Sequence, residues 1–370
     1  MTSAFWAGRR VLVTGHTGFK GGWLCLWLQR LGAEVIGYAL EPPTQPNLFE
    51  SARVGEGMCS ILGDVRDFDT LWTTVRKYQP EIIFHLAAQP LVMPAYRQPL
   101  ETYAINVLGT VHLLEAVRRA AGVRAVVNVT SDKCYENREG SRGYREDEPM
   151  GGYDPYSSSK GCAELVTSAY RRSFFARTSD RCGVALASAR AGNVIGGGDW
   201  AEDRLIPDVI RSFRAGQPVT LRCPDAVRPW QHVLEPLSGY LSLAERLWKD
   251  GPAFAEGWNF GPHDGDAQPV RWLVERLAVL WGEGACWHHD DTPHPHEARY
   301  LKLNCAKAAA KLGWRPRWSL DRALTETVAW YRAAQSGENM HQFSLAQIAR
   351  YETARATECS DCLPSFAETF

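Results

Sequence analysis

The sequence predicts an α/β protein, a doubly wound parallel sheet accompanied by a smaller mixed α/β domain. Three observations lead to this fold class. First, short apolar segments, which indicate strands, alternate with helical segments through the first half of the chain. Second, a glycine-rich loop joins the first strand to the first long helix. Third, polar side chains follow directly after strands. At 370 residues the chain also exceeds the usual single domain.

Composition excludes some partners and predicts a location. The 41 lysines and arginines are balanced by 42 aspartates and glutamates, so the chain lacks the basic surface of a nucleic-acid-binding protein. No apolar run approaches the roughly 18 residues of a membrane span, and the N-terminus lacks the long apolar region of a signal peptide. The 10 cysteines are scattered, several of them within helices or strands, such as Cys25, Cys162 and Cys182. We therefore expect a cytoplasmic protein with reduced cysteines and with neither nucleic acid nor membrane as partner.

The first strand, Arg10–Thr14, leads into a glycine-rich loop and then into a helix with an apolar face. This order is typical of dinucleotide binding, because glycine lets the backbone approach a pyrophosphate and the helix N-terminus supplies unpaired N–H groups. The loop consists of Gly15, His16, Thr17, Gly18, Phe19, Lys20 and Gly21.

Two later strands end in residues that suit the same ligand. The third strand ends near Asp64 and Val65, and Asp67 after them is equally well explained as the cap of a helix over 68–78. The fourth strand, residues 81–86, runs into Ala87 and Ala88, whose small side chains would let a cofactor lie across the sheet.

The strand over residues 125–129 is followed by Ser131, Asp132 and Lys133, a hydroxyl, an acid and an amine in succession. Taken alone, these three residues indicate a turn with a helix-capping residue. Tyr156 and Lys160 follow at a spacing that places them on one face of a helix, where the ammonium can lower the pKa of the phenol. Behind a dinucleotide loop, the two groups together predict an acid–base site at the carboxyl ends of the strands.

After a strand over residues 184–189 the chain changes character, with arginines, prolines and aromatic residues in loops. Such loops could hold a pyrophosphate and stack a base, because arginine forks match phosphate oxygens. The alternative is that they are ordinary surface loops around a small domain.

The glycine loop, the serine at a strand end and the Tyr-x-x-x-Lys set resemble the extended short-chain dehydrogenase/reductase family, over residues 9–330. The resemblance implies a Rossmann domain over residues 1–190 that binds NAD, with a return segment near 233–260. It further implies a nucleotide-sugar-binding domain over 191–330, and it leaves 331–370 as a C-terminal tail without assigned chemistry.

Within that family, the pair Ser131 and Asp132 resembles the pair found in the sugar-nucleotide 4,6-dehydratases. These enzymes need such an acid because elimination requires a proton for the departing hydroxyl. Where the dehydratases of dTDP-glucose and GDP-mannose carry glutamate next, this chain has Lys133, as in the branch that acts on CDP-D-glucose. The implied product is CDP-4-dehydro-6-deoxy-D-glucose, an intermediate of deoxysugar biosynthesis for lipopolysaccharide O-antigen.

The resemblance implies a role for each catalytic residue. Tyr156, with its pKa lowered by Lys160 and by the cofactor, would take the proton of the 4-hydroxyl while a hydride moves from C4 to NAD. Lys133, once neutral, would take the C5 proton, and Asp132, with a raised pKa, would protonate the departing 6-hydroxyl. The hydride would then return to C6.

The family positions also imply two sets of binding residues and a choice of cofactor. At the end of the second strand the expected ribose-binding acid falls on Ala39, with Glu41 two residues further and no arginine for a 2′-phosphate, which favours NAD over NADP. The implied cofactor-binding residues are the seven loop residues with Asp64, Val65, Leu86, Ala87, Ala88, Tyr156 and Lys160. The implied substrate-binding residues are Asn193, Trp200, Arg204, Leu205, Arg228, Tyr300 and Lys302.

Other interpretations stay open at this point. A nucleotide-sugar 4-epimerase or reductase of the same family, or a non-catalytic NAD-binding protein, would share the fold. We expect no metal site, although histidines crowd residues 287–297 and Cys359 and Cys362 are closely spaced in the tail. The family implies a homodimer or homotetramer that pairs through helices near 100–120 and 156–175.

Overall fold

A computed structural model describes residues 3–138, 140, 142–175, 183–282, 286–290 and 300–354. Its centre is a seven-stranded parallel sheet, which confirms the predicted doubly wound fold. Numbered in chain order, the strands are β1 Arg10–Thr14, β2 Glu34–Ala39, β3 Cys59–Leu62, β4 Ile82–His85, β5 Ala125–Val129, β6 Ala185–Ala191, β7 Val194–Ile195, β8 Val219–Leu221, β9 Val227–Pro229, β10 Gln231–His232, β11 Gly257–Phe260, β12 Ala267–Pro269 and β13 Trp287–His289. The order across the sheet is β11-β6-β5-β4-β1-β2-β3.

Helices cover both faces of this sheet and extend to residue 353. They are α1 Ser3–Trp6, α2 Phe19–Arg30, α3 Leu48–Ser51, α4 Phe68–Tyr78, α5 Val92–Arg97, α6 Pro99–Tyr103, α7 Gly109–Arg119, α8 Pro155–Tyr170, α9 Leu205–Arg214, α10 Leu234–Asp250, α11 Val270–Trp281, α12 Leu320–Gln335 and α13 Met340–Thr353. A π-helical turn, Ala104–Leu108, joins α6 to α7. Among the residues that the structure describes, none of the helices combines the length and apolarity that a membrane span needs.

The sheet separates two apolar cores because successive side chains of each strand point to opposite faces. Val11 and Val13 of β1 lie in the larger core with α2, α10 and α12, whereas Leu12 lies in the smaller core with α4 and α7. The larger core is rich in tryptophan, with Trp23 and Trp27 fully buried. Strands buried on both faces carry nearly continuous apolar sequence, which is why the sequence showed runs rather than alternation.

A second region stands over the carboxyl ends of the strands. It contains α9, α11 and three small two-stranded sheets, β7 with β10, β8 with β13 and β9 with β12, of which the last is antiparallel. The chain then returns: α10 packs against β5 and β6, and β11 pairs with β6 at the edge of the main sheet. The mixed α/β region that the sequence predicts is therefore present.

The C-terminal helices pack on the first half of the chain. Trp27 of α2 donates a hydrogen bond from Nε1 to Glu352, 2.9 Å away, and the Tyr351 hydroxyl donates to Glu235 of α10 over 2.6 Å. Predicted features at Cys182, Cys359, Cys362 and residues 291–299 lie outside the described residues.

Candidate active site

A cleft of about 1810 Å³ opens where the carboxyl ends of the sheet strands face the second region. This volume exceeds the roughly 300–1,000 Å³ of a pocket for one drug-sized ligand, so the cleft has room for two nucleotide-sized molecules. The predicted residues that line it are Gly15, Thr17, Gly18, Phe19, Lys20, Gly21, Asp64, Val65, Leu86, Ala87, Ala88, Ser131, Asp132, Lys133, Tyr156, Lys160, Asn193, Trp200, Arg204, Leu205 and Arg228.

The glycine-rich loop forms a cradle that suits a pyrophosphate. Gly15 has a φ of +77°, and a Cβ atom there would lie 2.8 Å from the backbone nitrogen of Ala87. A Cβ atom on Gly21 would lie 2.0 Å from the carbonyl oxygen of Gly15. Helix α2 begins beyond Gly18, which provides no side-chain cap, so the first N–H groups of the helix are available to an anion. The residues present therefore fit a dinucleotide.

His16 supports the loop from behind and does not line the cleft. It is fully buried, its Nε2 atom lies 2.7 Å from Ser60 Oγ, and its ring packs against Phe49. Burial lowers the pKa of His16 to about 4, so the ring is neutral at physiological pH. Its role in the structure is to brace the loop against β3.

The far end of the cleft, at the ends of β2 and β3, is lined by Leu40, Glu41 and Asp64. The Asp64 carboxylate receives hydrogen bonds from Arg66, which lower its pKa. Asp67 caps α4 by accepting a hydrogen bond from the Thr70 amide over 3.1 Å, so the capping explanation of that residue is right. Among the described residues that line this end of the cleft, Glu41 and Asp64 are acidic and none is an arginine, which suits a ribose with free hydroxyls.

The turn after β5 fixes three reactive side chains. Ser131 caps a short 3₁₀ turn, Asp132–Cys134, by accepting a hydrogen bond from the Lys133 amide over 3.2 Å. The same hydroxyl donates to Asp132 Oδ1 over 3.0 Å. The capping turn expected from the sequence is thus present, and it also places Ser131, Asp132 and Lys133 on the wall of the cleft.

Asp132 has the environment of a protonated acid. It is 2 % exposed, and its Oδ2 atom has no hydrogen-bond partner among the described residues. Burial raises the pKa of Asp132, although Lys133, Arg228 and Lys20 oppose the rise. This is the direction that the elimination step requires.

Tyr156 and Lys160 lie in the first turns of α8, which Asp154 caps. Both side chains are buried, and burial raises the pKa of Tyr156 to about 12 even though Ser131 forms a hydrogen bond with the phenol. Burial lowers the pKa of Lys160 to about 8. The direction for the tyrosine is opposite to the one expected from its spacing with the lysine, because desolvation outweighs the neighbouring charges of the protein.

Two buried polar groups behind the catalytic turn were missed by sequence reasoning. Glu164 of α8 and Arg190 of β6 form a two-pronged ion pair with contacts of 2.9 and 2.8 Å. Thr130 and Ser188 donate to the same carboxylate. Glu164 lies one helical turn after Lys160, the only sequence signal that pointed to it.

Asn106 supports the neighbouring loop. It is buried in the π-helical turn, accepts a hydrogen bond from the Gln89 amide over 2.8 Å and donates to Ser159 Oγ over 2.8 Å. The loop after β4 is thereby tied to α8.

The loop after β7 presents Trp200 and Arg204 to the cleft. Asp199 holds Arg204 through an ion pair of 2.9 Å. Tyr331 of α12 donates a hydrogen bond to the Asp199 carbonyl and packs edge-on against the Trp200 ring. Helix α12 therefore holds this loop in place through Tyr331, although the sequence assigned no functional role to residues beyond 330.

Tyr300 and Lys302 do not line the cleft. Tyr300 forms a backbone bridge with Val227, and the Lys302 carbonyl accepts a hydrogen bond from the Tyr144 amide over 2.9 Å. Leu301 between them is the residue that lines the cleft. Alternation along an extended segment explains this, because Leu301 points the opposite way from its neighbours.

The chain is similar to known proteins over most of its length. The sequence pattern of the NAD dependent epimerase/dehydratase family matches residues 11–252. The CDP-glucose 4,6-dehydratase of Salmonella typhimurium is 58% identical over 351 residues, which cover 95% of this chain and 98% of that protein.

Solved structures share the fold. The complex of MoeE5 with UDP-glucuronic acid and NAD has a TM-score of 0.73 and 27% identity, and the match covers 88% of this chain and 99% of that one. The dTDP-glucose 4,6-dehydratase of Bacillus anthracis, solved with NAD, has a TM-score of 0.72 and 22% identity, with 90% and 99% covered. The second similarity concerns the fold alone.

Proposed function

The chain belongs to the NAD dependent epimerase/dehydratase family, and from that premise we propose that it converts CDP-D-glucose to CDP-4-dehydro-6-deoxy-D-glucose and water. The enzyme is a hydro-lyase with NAD as cofactor. The observation that carries the proposal is one cleft in which an elimination pair, Asp132 and Lys133, stands beside an oxidation pair, Tyr156 and Lys160. The 58% identity to a CDP-glucose 4,6-dehydratase supports the same reaction and the same nucleotide, CDP, on the substrate.

The cofactor-binding residues are the glycine-rich loop with the ends of β3 and β4. When bound there, NAD supplies a hydride acceptor for C4, a positive charge that favours the tyrosine phenolate, and the hydride that returns to C6. The loop holds the pyrophosphate through backbone N–H groups, so Gly15 and Gly21 are required for close approach. His16 acts through the loop and does not contact the ligand.

In the oxidation step, Tyr156 removes the proton of the sugar 4-hydroxyl. The residues around it hold the pKa of Tyr156 at about 12, so the protein alone keeps the phenol protonated and an empty site is inactive. Ser131, which bonds the phenol, orients it toward the sugar. Lys160 is buried next to it with a pKa of about 8, so its ammonium is mostly charged at neutral pH and favours the phenolate.

In the elimination step, Lys133 takes the C5 proton, which the new C4 ketone has made acidic. Asp132 gives its proton to the 6-hydroxyl, which leaves as water. Burial raises the pKa of Asp132 and so favours the protonated form that this step needs, because a carboxylate could not act as an acid. Lys133 afterwards returns its proton to C5.

The nucleotide-sugar site is built from Asn193, Trp200, Arg204, Leu205 and Arg228, which line the second half of the cleft. Arginine forks suit the two phosphates of the substrate, and the tryptophan ring offers a stacking surface. Tyr300 and Lys302 belong to the proposal only as residues that position Leu301. In this division of the chain, residues 1–190 with the return near 233–260 bind the cofactor, 191–330 mainly bind the substrate, and 331–370 form a C-terminal tail.

The remaining parts of the proposal concern assembly and context. Assembly as a homodimer or homotetramer is supported by exposed apolar side chains on the helices expected to pair, with Leu100 84%, Leu165 61% and Phe174 50% exposed. A cytoplasmic location is a further part of the proposal. The product would enter deoxysugar biosynthesis for lipopolysaccharide O-antigen.

One experiment separates this proposal from its rival, a 4-epimerase or reductase of the same family. Purified protein and NAD are incubated with the glucose derivatives of CDP, dTDP, UDP and GDP, and each product is weighed by mass spectrometry. We expect CDP-glucose alone to lose the mass of one water. An isomer of unchanged mass would identify an epimerase, and no reaction with any substrate would identify a non-catalytic protein.

A further inference from the structure

Lys20 is an unusual residue for the position it occupies. It is the only lysine, arginine, aspartate or glutamate between Arg10 and Arg30, and it lies in the first turn of α2. A cation there is repelled by the positive end of the helix dipole, so the position is unfavourable for a lysine. The helix N-terminus already attracts an anion, so the pyrophosphate of a dinucleotide does not require this lysine.

The side chain of Lys20 is half-buried and lines the cleft. Its ammonium lies 6.0 Å from the centre of the Tyr240 ring in α10. The charged groups that act on it are Asp132, which attracts it, and Arg204 and Lys160, which repel it. Lys20 thus extends from the cofactor loop toward the acid of the elimination step.

Two buried polar atoms among the electrostatic or ring neighbours of Lys20 have unfilled hydrogen-bonding capacity. Asp132 Oδ2 and the Tyr240 hydroxyl are both buried, and neither has a partner among the described residues. The electrostatic neighbours of Tyr240 include Asp132 and Tyr156, the groups that act on C6 and C4 in the proposed reaction. Buried polar atoms are normally paired, and Asp132 lines the cleft, so its Oδ2 atom is placed to meet a polar atom of a ligand, whereas Tyr240 lies behind the cleft wall.

We propose that Lys20 is a further catalytic residue, whose ammonium donates a hydrogen bond to the C6 oxygen of the sugar while Asp132 protonates that oxygen. This inference rests on the proposed dehydration. The developing negative charge on the departing oxygen is then met by two groups, the proton of Asp132 and the charge of Lys20.

The step balances without any further reactant. The C5–H bond breaks, its proton goes to the Lys133 amine, and its electron pair forms the C5–C6 double bond. The C6–O bond breaks, and the oxygen keeps that electron pair and binds the proton of Asp132, so that water leaves. Lys20 begins and ends the step with the same protons.

The electrostatic setting agrees with such a role. Burial, with repulsion from Arg204 and Lys160, lowers the pKa of Lys20 to about 7. An ammonium close to its pKa shares its proton readily with an oxygen that becomes more basic. A lysine that only held a phosphate would gain nothing from this.

The test follows the two halves of the reaction separately in Lys20→Met. With enzyme in excess over CDP-glucose, we expect oxidation of C4, seen as NADH absorbance, to keep its rate. Loss of water, followed by mass spectrometry of quenched samples, should slow by about 10²–10³-fold, so NADH accumulates. Lys20→Arg keeps a cation and should recover most of the lost rate.

The matched control is Lys77→Met. The ammonium of Lys77 also lies over a tyrosine ring, 4.9 Å from the centre of Tyr78, but this lysine is exposed on α4 outside the cleft. We expect that variant to match the wild type in both halves of the reaction. The loop holds the pyrophosphate through backbone N–H groups, which neither substitution removes, so calorimetric titration of each variant with NAD alone should give the wild-type dissociation constant.

Three results would overturn the inference. One is a Lys20→Met variant that loses water at the wild-type rate, and another is one in which oxidation and water loss slow equally. The third is a variant whose only change is weaker NAD binding, which would make Lys20 a cofactor contact. If the wild type itself forms no dehydrated product, the proposed function fails first, and that result is distinct from all three.

Discussion

We predict that helix α12, the last but one in the described chain, controls the affinity for the nucleotide sugar through the hydroxyl of Tyr331. The perturbation is Tyr331→Phe, which removes the hydrogen bond from Tyr331 to the buried carbonyl of Asp199. The aromatic ring remains, and with it the edge-on contact with Trp200, in which the two ring centres lie 5.0 Å apart. The variant therefore releases the loop that carries Trp200 and Arg204 without leaving a cavity.

The size of the effect follows from the bond that is lost. A buried carbonyl left without its donor costs about 1–3 kcal/mol. If the loop must recover its position for CDP-glucose to bind, a cost near 1.4 kcal/mol appears as about a tenfold higher KM. The turnover number should change less, because the loop carries residues proposed to bind the nucleotide sugar and none of the proposed acid–base groups.

The assay is steady-state kinetics with CDP-glucose at saturating NAD, beside a titration of NAD alone. Tyr351→Phe is the matched control, because its hydroxyl is equally buried but bonds Glu235 and lies 3.1 Å from Ser238, away from the loop. This control should unfold at lower urea concentration and keep the wild-type KM. A wild-type KM in Tyr331→Phe, or an equal rise in both variants, would refute the reasoning.

Four further predictions concern the site. Lys133→Ala should oxidise CDP-glucose and accumulate NADH without losing water, and dehydrated product at a near wild-type rate would show that another group is the base. Asp132→Asn keeps the shape of the acid and removes its proton, so the elimination rate in a quenched time course should fall about 10²–10⁴-fold, and an unchanged rate would exclude Asp132 as the acid. Gly21→Ala places a Cβ atom 2.0 Å from the Gly15 carbonyl oxygen, so calorimetry should detect little NAD binding to the variant, whereas wild-type affinity would contradict the cradle. Glu164→Gln leaves the Arg190 charge buried without its counter-ion, which should lower the free energy of unfolding in urea by about 3–5 kcal/mol, and a change below about 1 kcal/mol would mean that the pair is not structural.

The fold and the inner half of the site could be predicted because their signals are local in the chain. The boundaries of β1, β5 and α4 follow from apolar runs and a capping aspartate, Asp67, within a few residues of one another. The catalytic turn was predictable for the same reason, since Ser131, Asp132 and Lys133 are adjacent.

Contacts between distant segments could not be predicted in this way. Arg190 and Glu164 are 26 positions apart in the sequence, and Tyr331 and Asp199 are 132 positions apart. Residue pairs at such separations produce no repeating pattern in the sequence from which their contact could be predicted. The same limit applies to His16 and Tyr300, whose positions in the chain matched a binding motif but whose side chains turn away from the cleft.

The pKa of Tyr156 shows a different limit. The spacing of Tyr156 and Lys160 indicates that a cation is near, but it carries no information about burial, which dominates the pKa of the phenol. Desolvation depends on every element packed around the site, among them α8 and the turn after β5. It becomes visible only when the fold is assembled.

The most direct test of the proposed reaction is the fate of a deuterium atom placed on C4 of CDP-glucose. If oxidation, elimination and hydride return occur in one cleft, the product loses the mass of one water and keeps the deuterium, now on C6, without exchange into solvent. In heavy water the ammonium of Lys133 exchanges its protons for deuterium before one returns to the sugar, so the same reaction with unlabelled substrate should place one deuterium on C5. Loss of the C4 label to solvent, or a product of unchanged mass, would contradict the account.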